Sequence, residues 1–517
     1  MLVAAVLAIA YLILEPSSAD HAAQTFRSDL FASHGFLLWN NDWYGGHYLP
    51  GYSVLFPPLG AALGPRLVGA LAAVAAAGLF GALARYGHGD RARLATLWFG
   101  AGTATMLFSG RLTFALGIAI GLGALLALQR RHLLLAAGLA ALTVCGSPVA
   151  GLFLALAGVA VALAGDRRGG GLLALAALGA LGALSLAFPT GGEEPFVLSA
   201  FIGVPLFAAA ALWLLPASER ALRWGVAVYA IAALAAFAVA NPVGGNMARL
   251  GALAGGPVLA LGLAGRRPVA LAAIALPLLY WQWVAPVRDV SEAAGDPSVH
   301  SSYYEPLLAE LERHTRGMPV RVEIPPTGNR WEANYVAPRF PLARGWLRQL
   351  ESGDRDLFTD GNLTAAAYRS WLDEHGVSYV AVAGAELDYL AEDEEALIRG
   401  GLPYLRAIWS DEDWRLYRVK GATGLVSRLD DPDRAAPDDR LTALGPASFT
   451  ISARGPGALL VRMRYTRYWT VTAGEACVER HGDWTEVDVP RAGTISVAAR
   501  FGLDRLLGRD SGRECSA

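Results

Sequence analysis

The chain has 517 residues, 54% of them hydrophobic, and its mean hydropathy is +0.37. Ordinary soluble proteins of this size are less apolar, so the composition excludes that class and indicates a membrane protein. The formal net charge is −2 and no basic patch is interleaved with aromatic residues, which argues against nucleic acid as a partner.

The charges divide the chain into two halves. Residues 1–287 contain nine acids and fifteen arginines, whereas the remaining 36 acids lie in residues 288–517. We therefore predict a polytopic transmembrane domain over residues 1–287. An extracytoplasmic α/β region over 288–430 and a β-rich region over 431–517 are expected to follow it.

About eleven apolar stretches of the first domain are predicted to cross a bilayer as helices. They lie at roughly 2–15, 66–84, 93–110, 112–129, 132–146, 148–165, 171–188, 197–216, 221–240, 247–265 and 268–287. Residues 53–64, with Pro57 and Pro58, are too short to cross and are interpreted as a dipping or interfacial segment. A cleaved signal peptide that ends at Ala19 is the alternative for the first stretch.

Arginines occupy every second connection between these stretches. They are Arg85, Arg91, Arg93, Arg130, Arg131, Arg167, Arg168, Arg220, Arg223, Arg266 and Arg267. The positive-inside rule places these connections in the cytoplasm. The other connections are then predicted to lie outside: 16–52, around Arg111, around Pro148, 188–196, 241–249 and everything after 287. The chain is thus expected to be a multi-pass protein of the cell membrane, with its C-terminal part outside the cytoplasm.

The second half alternates between helical and strand patterns. They predict a helix over 303–315, a strand over 319–324, an amphipathic helix over 363–376, a strand over 377–384 and a hairpin over 405–419. Short alternating runs after residue 440 predict a small β-sandwich. A disulfide between Cys477 and Cys515 is left open.

The first outer loop, residues 16–52, gathers polar groups beside the membrane, where function is sought. Asp20 directly follows the first apolar stretch and is a candidate general base or metal ligand. The alternative is that Asp20 only caps an interfacial helix that begins near His21. Asp29 and Asp42 are supporting acid or metal candidates, although Asp42 lies in a typical turn sequence, Asn-Asn-Asp-Trp.

Three further groups of candidates complete the predicted site. Glu193, in another outer loop, is an additional acid. Arg111 and Arg249 border apolar stretches on the outer side; they suit a phosphate, or only snorkel to the interface. The aromatic residues of the first loop either stack on a sugar or form an interfacial belt. The sugar-binding candidates are His21, Trp39, Trp43, Tyr44 and Tyr48.

This layout resembles the GT-C superfamily of multi-spanning glycosyltransferases, which take sugars from polyprenyl-phosphate donors. In that superfamily an acid just after the first span is catalytic, and Asp20 occupies the matching position. The stretch DWYGGHYLPGYSVLFPPLG (42–60) is similar to a segment of an allied membrane-protein group labelled as related to 6-pyruvoyl-tetrahydropterin synthase. YRSWLDEHGVSYVAV resembles the helix–strand unit of the outer domain in GT-C-like and YfhO-like proteins. The chain departs from the pattern by lacking a clear acid pair at the head of the first loop.

The resemblance implies an inverting glycosyltransferase that moves a sugar from a polyprenyl phosphate to a glycan or lipid acceptor of the cell envelope. Asp20 would deprotonate the acceptor, and Arg111 or Arg249 would neutralise the leaving phosphate. No cofactor is assigned, and a divalent cation shared by Asp20 with Asp29 or Asp42 is left open. A transporter or flippase of a lipid-linked substrate and a non-catalytic scaffold for envelope assembly are the alternatives.

Overall fold

The computed structural model describes residues 1–353, 355–358, 361–432 and 439–507. The chain divides into two compact units. Unit 1 comprises Met1–Gly35 and Pro50–Ala294, and unit 2 comprises Phe36–Leu49 and Gly295–Ala517. The disulfide left open between Cys477 and Cys515 involves Cys515, which lies outside the described residues.

Unit 1 is built from helices that follow one another with short connections. Each predicted apolar stretch is helical, and the segment after Tyr52 forms a short helix that begins at two prolines. The helices are α1 (Leu2–Leu14), α2 (Ala19–His34), α3 (Phe56–Leu63), α4 (Pro65–His88), α5 (Arg93–Phe108), α6 (Leu112–Gln129), α7 (Leu133–Gly146), α8 (Pro148–Ala164), α9 (Arg167–Ala187), α10 (Leu198–Phe201), α11 (Gly203–Leu214), α12 (Arg220–Ala238), α13 (Ala248–Leu263) and α14 (Pro268–Ala293).

Five helical stretches in the described part of the chain are long and apolar enough to cross a membrane. They are Pro65–Phe108, Leu112–Gln129, Arg167–Ala187, Arg220–Ala238 and Pro268–Ala293, and α1 with α2, bent by 80°, would be a sixth. The first stretch contains α4 and α5. These two helices fold back on each other, as is shown by the stacking of Phe80 on Phe99 with ring centroids 4.2 Å apart. The predicted membrane-type helices are therefore confirmed, while the number of crossings stays a prediction.

Small residues allow neighbouring helices of unit 1 to pack closely. A Cβ atom on Gly158 of α8 would lie 2.8 Å from the carbonyl oxygen of Gly170 on α9. A Cβ atom on Gly170 would lie 2.4 Å from the carbonyl oxygen of Gly158. Since both helices need a glycine at this contact, the Ala/Gly-rich composition of the stretches reflects packing between helices.

Unit 2 contains one mixed and two antiparallel four-stranded sheets, with short helices. Its helices are α15 (Ser301–Thr315), α16 (Glu332–Tyr335), α17 (Arg355–Phe358), α18 (Ala365–Glu374), α19 (Glu392–Arg399) and α20 (Leu503–Leu506). Its strands are β1 (Trp39–Asn40), β2 (His47–Tyr48), β3 (Arg321–Glu323), β4 (Val377–Ala383), β5 (Leu405–Ser410), β6 (Trp414–Val419), β7 (Val426–Arg428), β8 (Arg440–Gly445), β9 (Ser448–Ala453), β10 (Gly457–Arg464), β11 (Trp469–Ala473), β12 (Cys477–His481), β13 (Trp484–Val489) and β14 (Gly493–Ala499).

The sheet orders confirm the expected local units of this half. The mixed sheet has the order β3-β4-β6-β5, in which β5 and β6 form the predicted hairpin. The helix–strand unit α18–β4 turns at Gly376, whose φ of 64° is in the left-handed region that glycine tolerates. The C-terminal strands form two four-stranded sheets, β12-β13-β10-β7 and β11-β14-β9-β8, which confirms the predicted β-rich region.

A buried ionic cluster holds the mixed sheet of unit 2 to two of its helices. The Arg344 guanidinium contacts Glu323 of β3, with Nε 2.9 Å from Oε1, and also pairs with Glu394 of α19. Tyr368 of α18 donates its hydroxyl to Glu394 at 2.7 Å. Because buried charges are stable only when paired and hydrogen-bonded, this cluster fixes which elements pack together.

Candidate functional site

The loops that are predicted to lie outside the membrane meet at one end of unit 1. The backbone N–H of Val54 donates to the carbonyl of Cys145 at 2.8 Å, and that of Glu194 donates to Asn241 at 3.0 Å. We call this the Asp20 end; it comprises residues 15–18, 51–55, 109–111, 145–148, 188–196 and 241–249. Loops that the charge alternation assigns to one side of the membrane are therefore neighbours in the structure, while the side on which they lie stays a prediction.

The arginine-bearing loops meet at the opposite ends of the same helices. His88 Nε2 lies 3.1 Å from Glu219 Oε2, and Arg266 contacts the other oxygen of Glu219 at 2.6 Å. Arg131 pairs with Asp166 at 2.8 Å. We call this the arginine-rich end; it comprises residues 85–93, 129–132, 164–168, 215–220 and 264–267.

Asp20 lies at the Asp20 end in contact with both predicted phosphate-binding arginines. Arg111 Nε donates to Asp20 Oδ2 at 3.4 Å, and Arg249 Nη2 lies 3.8 Å from the same oxygen. The side chains of Asp20, Arg111 and Arg249 are 22%, 23% and 25% exposed. The three residues are far apart in sequence, yet they form one partly exposed cluster.

Helix N-termini add to the charge of this cluster. Asp20 is in the first turn of α2, Arg111 caps the start of α6 and Arg249 is the second residue of α13. The N-terminus of a helix carries a partial positive charge, which stabilises Asp20 and adds to the positive field of the two guanidinium groups. The arrangement of two arginines at two helix starts suits an anion such as a phosphate.

Gly110 explains how the loop before α6 comes so close to α2. Its φ is 71°, in the left-handed region. A Cβ atom at this position would lie 2.5 Å from the backbone nitrogen of His21 and 2.8 Å from Ser18 Oγ. Any larger residue would therefore push the loop away and move Arg111 from Asp20.

Asp289 is a second acid of this cluster that the sequence reasoning missed. Its Oδ2 lies 3.8 Å from Arg111 Nη2, and its side chain is 18% exposed. It also pairs with its exposed neighbour Arg288 at 3.1 Å. A signal was present, because Asp289 follows the last apolar stretch on the same predicted side as Asp20.

One face of α2 extends the cluster beyond Asp20. Asp20, Gln24 and Arg27 recur at helical spacing, so they share a face. Gln24 Nε2 donates to the hydroxyl of Tyr52 at 2.9 Å. The Arg27 guanidinium carbon lies 3.9 Å from the centre of the Tyr52 ring, a cation–π contact. Tyr52 is thereby held beside the second and third turns of α2.

The remaining predicted residues of unit 1 have different surroundings. Asp29 is exposed further along α2, and His21 is buried with Nδ1 3.3 Å from Thr25 Oγ1. Glu193 is exposed in the loop that packs on residues 241–245. These positions leave Asp20 as the acid that contacts both arginines.

The aromatic sugar-binding candidates lie in the core of unit 2 instead. Trp43 is fully buried and donates its Nε1 hydrogen to the carbonyl of Ala333 at 2.9 Å. Tyr48 shares a hydrogen bond of 2.9 Å with Thr466. Rings that are covered by their own domain expose no face to a sugar, so their burial favours a structural role.

Burial inside unit 2 is also found for Trp39, Tyr44 and Asp42. Trp39 packs edge-on against Trp469 at 5.9 Å, and the Tyr44 hydroxyl donates to Glu351 at 3.3 Å. Asp42 is 5% exposed and accepts a hydrogen bond of 2.9 Å from Asn40. Burial raises the pKa of Asp42 to about 6, and the Asn40 hydrogen bond opposes this rise. Asp42 is therefore part of unit 2 and does not belong to the Asp20 cluster.

The Asp20 cluster has the chemistry of an anion site. Within the described ranges, no three His, Cys, Asp or Glu side chains are grouped so that they could hold a metal ion. Both acids of the cluster face Arg111, whose charge opposes that of a cation. The divalent cation left open by the sequence stays a prediction. No protein-family model matches the chain, and no curated protein matches it significantly.

Proposed function

We propose that the protein is an integral membrane glycosyltransferase that takes its sugar from a polyprenyl phosphate. The observation that carries this proposal is the convergence of Arg111 and Arg249 on Asp20, because two guanidinium groups beside one carboxylate provide both a phosphate site and a base. The acceptor is a hydroxyl of an envelope glycan or lipid.

The two arginines would bind the phosphate of the donor. A polyprenyl-phosphate sugar gains negative charge on its phosphate oxygen as the bond to the sugar breaks. Guanidinium groups held at two helix starts stabilise that charge without reorganising.

Asp20 would then act as the general base. The acceptor oxygen bonds to the anomeric carbon while the bond from that carbon to the phosphate oxygen breaks. The acceptor proton moves to Asp20, and the polyprenyl phosphate leaves with the electron pair. One displacement inverts the anomeric centre, which requires the base on the face opposite the phosphate.

The proposed topology has eleven crossings, with the Asp20 end outside the cytoplasm. Its support is that the loops alternate between the two ends of unit 1 and that arginines crowd only one of them. Unit 2 then lies outside the cytoplasm, because it follows α14.

The distribution of charge supports a transferase over a transporter. A transporter of a charged substrate is expected to carry ionisable groups midway along its helices. The ion pairs of unit 1, in the ranges that the structure describes, involve residues at the two ends of its helices. Polar chemistry at one end suits a reaction at the membrane surface.

The test is sugar transfer from a panel of polyprenyl-phosphate sugars by the purified protein and its Asp20→Asn variant. We expect the variant to lose about 10²- to 10⁴-fold in transfer rate, the contribution of a general base. The matched control is Asp29→Asn, which changes an exposed acid of the same helix and should leave the rate unchanged.

Other outcomes would assign the general base to a different acid or favour a different function. Transfer that survives in Asp20→Asn but is lost in Asp29→Asn would move the base to Asp29. Transfer that survives in both would move it to Glu193 or another acid. No transfer from any donor by a folded wild-type protein, tested with membrane glycan and lipid acceptors, would favour the scaffold.

A further inference from the structure

A large apolar cavity lies inside unit 1, and its lining extends from residues of the arginine-rich end to Leu250 and Gly251, which follow Arg249. Its volume is about 740 Å³, within the usual range for ligand sites. Side chains of α4, α6, α8, α12 and α13 form its wall. The lining includes Phe80, Leu125, Phe153, Val226 and Leu261.

We place the mouth of the cavity at the arginine-rich end, because most of its charged lining residues lie there. Its polar lining consists mainly of residues from that end: His88, Gln129, Arg131 and Asp166. Its lining also includes Gly117, six residues after Arg111 and so about 9 Å from it along α6. The cavity is thus long, apolar inside and polar at its mouth, the distribution that a lipid chain with a headgroup requires.

The charge around the mouth is strongly positive. The connections of the arginine-rich end carry ten arginines, and the acids among them are Asp90, Asp166 and Glu219. Arg131 lines the mouth, and Arg220 directly precedes the lining residue Ala221. A headgroup with a phosphate and no compensating cation is therefore attracted to this mouth.

We propose that this cavity binds an anionic glycerophospholipid, with one acyl chain inside and the phosphate at the mouth beside Arg131. A lipid chain inside this space gains dispersion contacts with its apolar walls. The proposed phosphate position beside Arg131 involves none of the residues Asp20, Arg111 and Arg249.

The experiment measures lipid retention by native mass spectrometry of the purified full-length protein. The probes are phosphatidylglycerol and phosphatidylcholine with identical chains. The blocking variant is Gly225→Trp, since Gly225 lines the cavity and a Cβ atom there meets only Ala160, at 3.9 Å. The matched control is Gly182→Trp, since a Cβ atom on this α9 glycine meets nothing within 4 Å.

We expect the wild type and Gly182→Trp to retain phosphatidylglycerol equally, and Gly225→Trp to retain at least tenfold less. Arg131→Gln should reduce the preference for phosphatidylglycerol over phosphatidylcholine several-fold. Equal retention by Gly225→Trp and the wild type, or equal loss in both tryptophan variants, would refute the site. Equal retention of both lipids by the wild type would refute its selectivity. If Gly225→Trp does not fold, Ala157→Trp blocks the cavity from α8 and decides the same question.

Discussion

Arg111 contacts two carboxylates, and this double contact determines what its replacement should do. In Arg111→Gln, Asp20 and Asp289 both lose a cationic neighbour, and the donor phosphate loses one of its two proposed guanidinium partners. We expect kcat/KM for the donor to fall about 10- to 100-fold, because a hydrogen bond to a charged group contributes about 1.5–3 kcal/mol. Steady-state kinetics with varied donor concentration measure this.

The control for this substitution is Arg288→Gln. Arg288 pairs with Asp289 but is 63% exposed, so its ion pair is worth little. Its replacement should leave kcat/KM for the donor within twofold of the wild type. If both substitutions have equal effects, general electrostatics and not a phosphate site explains the role of Arg111.

Asp42 gives unit 2 a pH-dependent stability. Burial raises its pKa to about 6, above the value of about 3.9 in the unfolded chain. The folded state therefore binds the proton more tightly, and stability falls as the pH rises from about 4 through 6. Because the folded and unfolded pKa values of Asp42 differ by roughly two, the free energy of unfolding falls by about 3 kcal/mol, and this loss is complete above pH 6.

The Asp42→Asn variant should lack this dependence. We expect the difference in unfolding free energy between variant and wild type to shift by about 3 kcal/mol in favour of the variant between pH 4 and pH 7.5. Denaturant unfolding at several pH values measures it. Asp483→Asn, at an exposed position, should track the wild type at every pH. Parallel curves for Asp42→Asn and wild type would contradict the effect of burial.

At the scale of elements, the segment Phe36–Leu49 joins the two parts of unit 2. Its β1 and β2 pair with each other, and its backbone bonds to both parts of the unit. Leu342 donates its N–H to the Asp42 carbonyl at 2.8 Å, and Arg464 donates its N–H to Gly45 at 2.7 Å. The α/β and β-rich regions therefore share this segment as a common core element.

We expect Trp43→Ala to destabilise unit 2 by about 3–5 kcal/mol, the cost of removing a buried tryptophan. Denaturant unfolding of the purified protein measures it, with Trp213→Ala as the matched control because Trp213 is 81% exposed. If Trp43 instead bound the sugar, Trp43→Ala would raise KM for the donor and leave the unfolding free energy unchanged.

Local patterns were sufficient to predict most elements of this fold. The apolar stretches became helices because their length and composition need no distant partner. The helix–strand unit before Gly376 and the hairpin at β5–β6 were predicted for the same reason. The charge alternation also placed Asp20, Arg111 and Arg249 on one side.

Features that depend on distant contacts could not be predicted. The first loop was treated as one piece, yet part of it belongs to unit 2 through contacts with Ala333 and Thr466, some 290 and 418 residues away. The distance between Asp20 and Arg111 depends on Gly110 fitting against α2, which no periodicity reveals. In the sequence, Asp289 resembled an ordinary polar residue at the boundary between the two halves of the chain.

At the scale of the whole molecule, the chain passes between the two units three times. It leaves unit 1 after Gly35, returns at Pro50 and leaves again after Ala294. A contiguous C-terminal fragment therefore omits part of the core of unit 2. This connectivity makes the C-terminal half dependent on a segment that precedes most of the membrane helices.

We expect residues 295–517 expressed alone to be rapidly degraded by protease, because the partners of Ala333 and Thr466 are missing. Addition of a peptide of residues 36–49 should restore protease resistance, measured as the half-life of the intact fragment. The same peptide with Trp43→Ala is the control and should fail to protect. A fragment that is equally resistant without the peptide would contradict the shared core.

The position of Phe36–Leu49 in the chain also imposes an order on biosynthesis. Ribosomes add about 5–20 residues per second, so the roughly 250 residues between Leu49 and unit 2 take on the order of 10–50 s to make. Throughout that interval Trp39 and Trp43 lack the contacts that they make with Trp469 and Ala333 in the folded unit. Unit 2 therefore completes its folding only after these later residues have been made. The nascent chain carries an exposed aromatic segment that holding chaperones would shield, so the yield of folded protein depends on their supply.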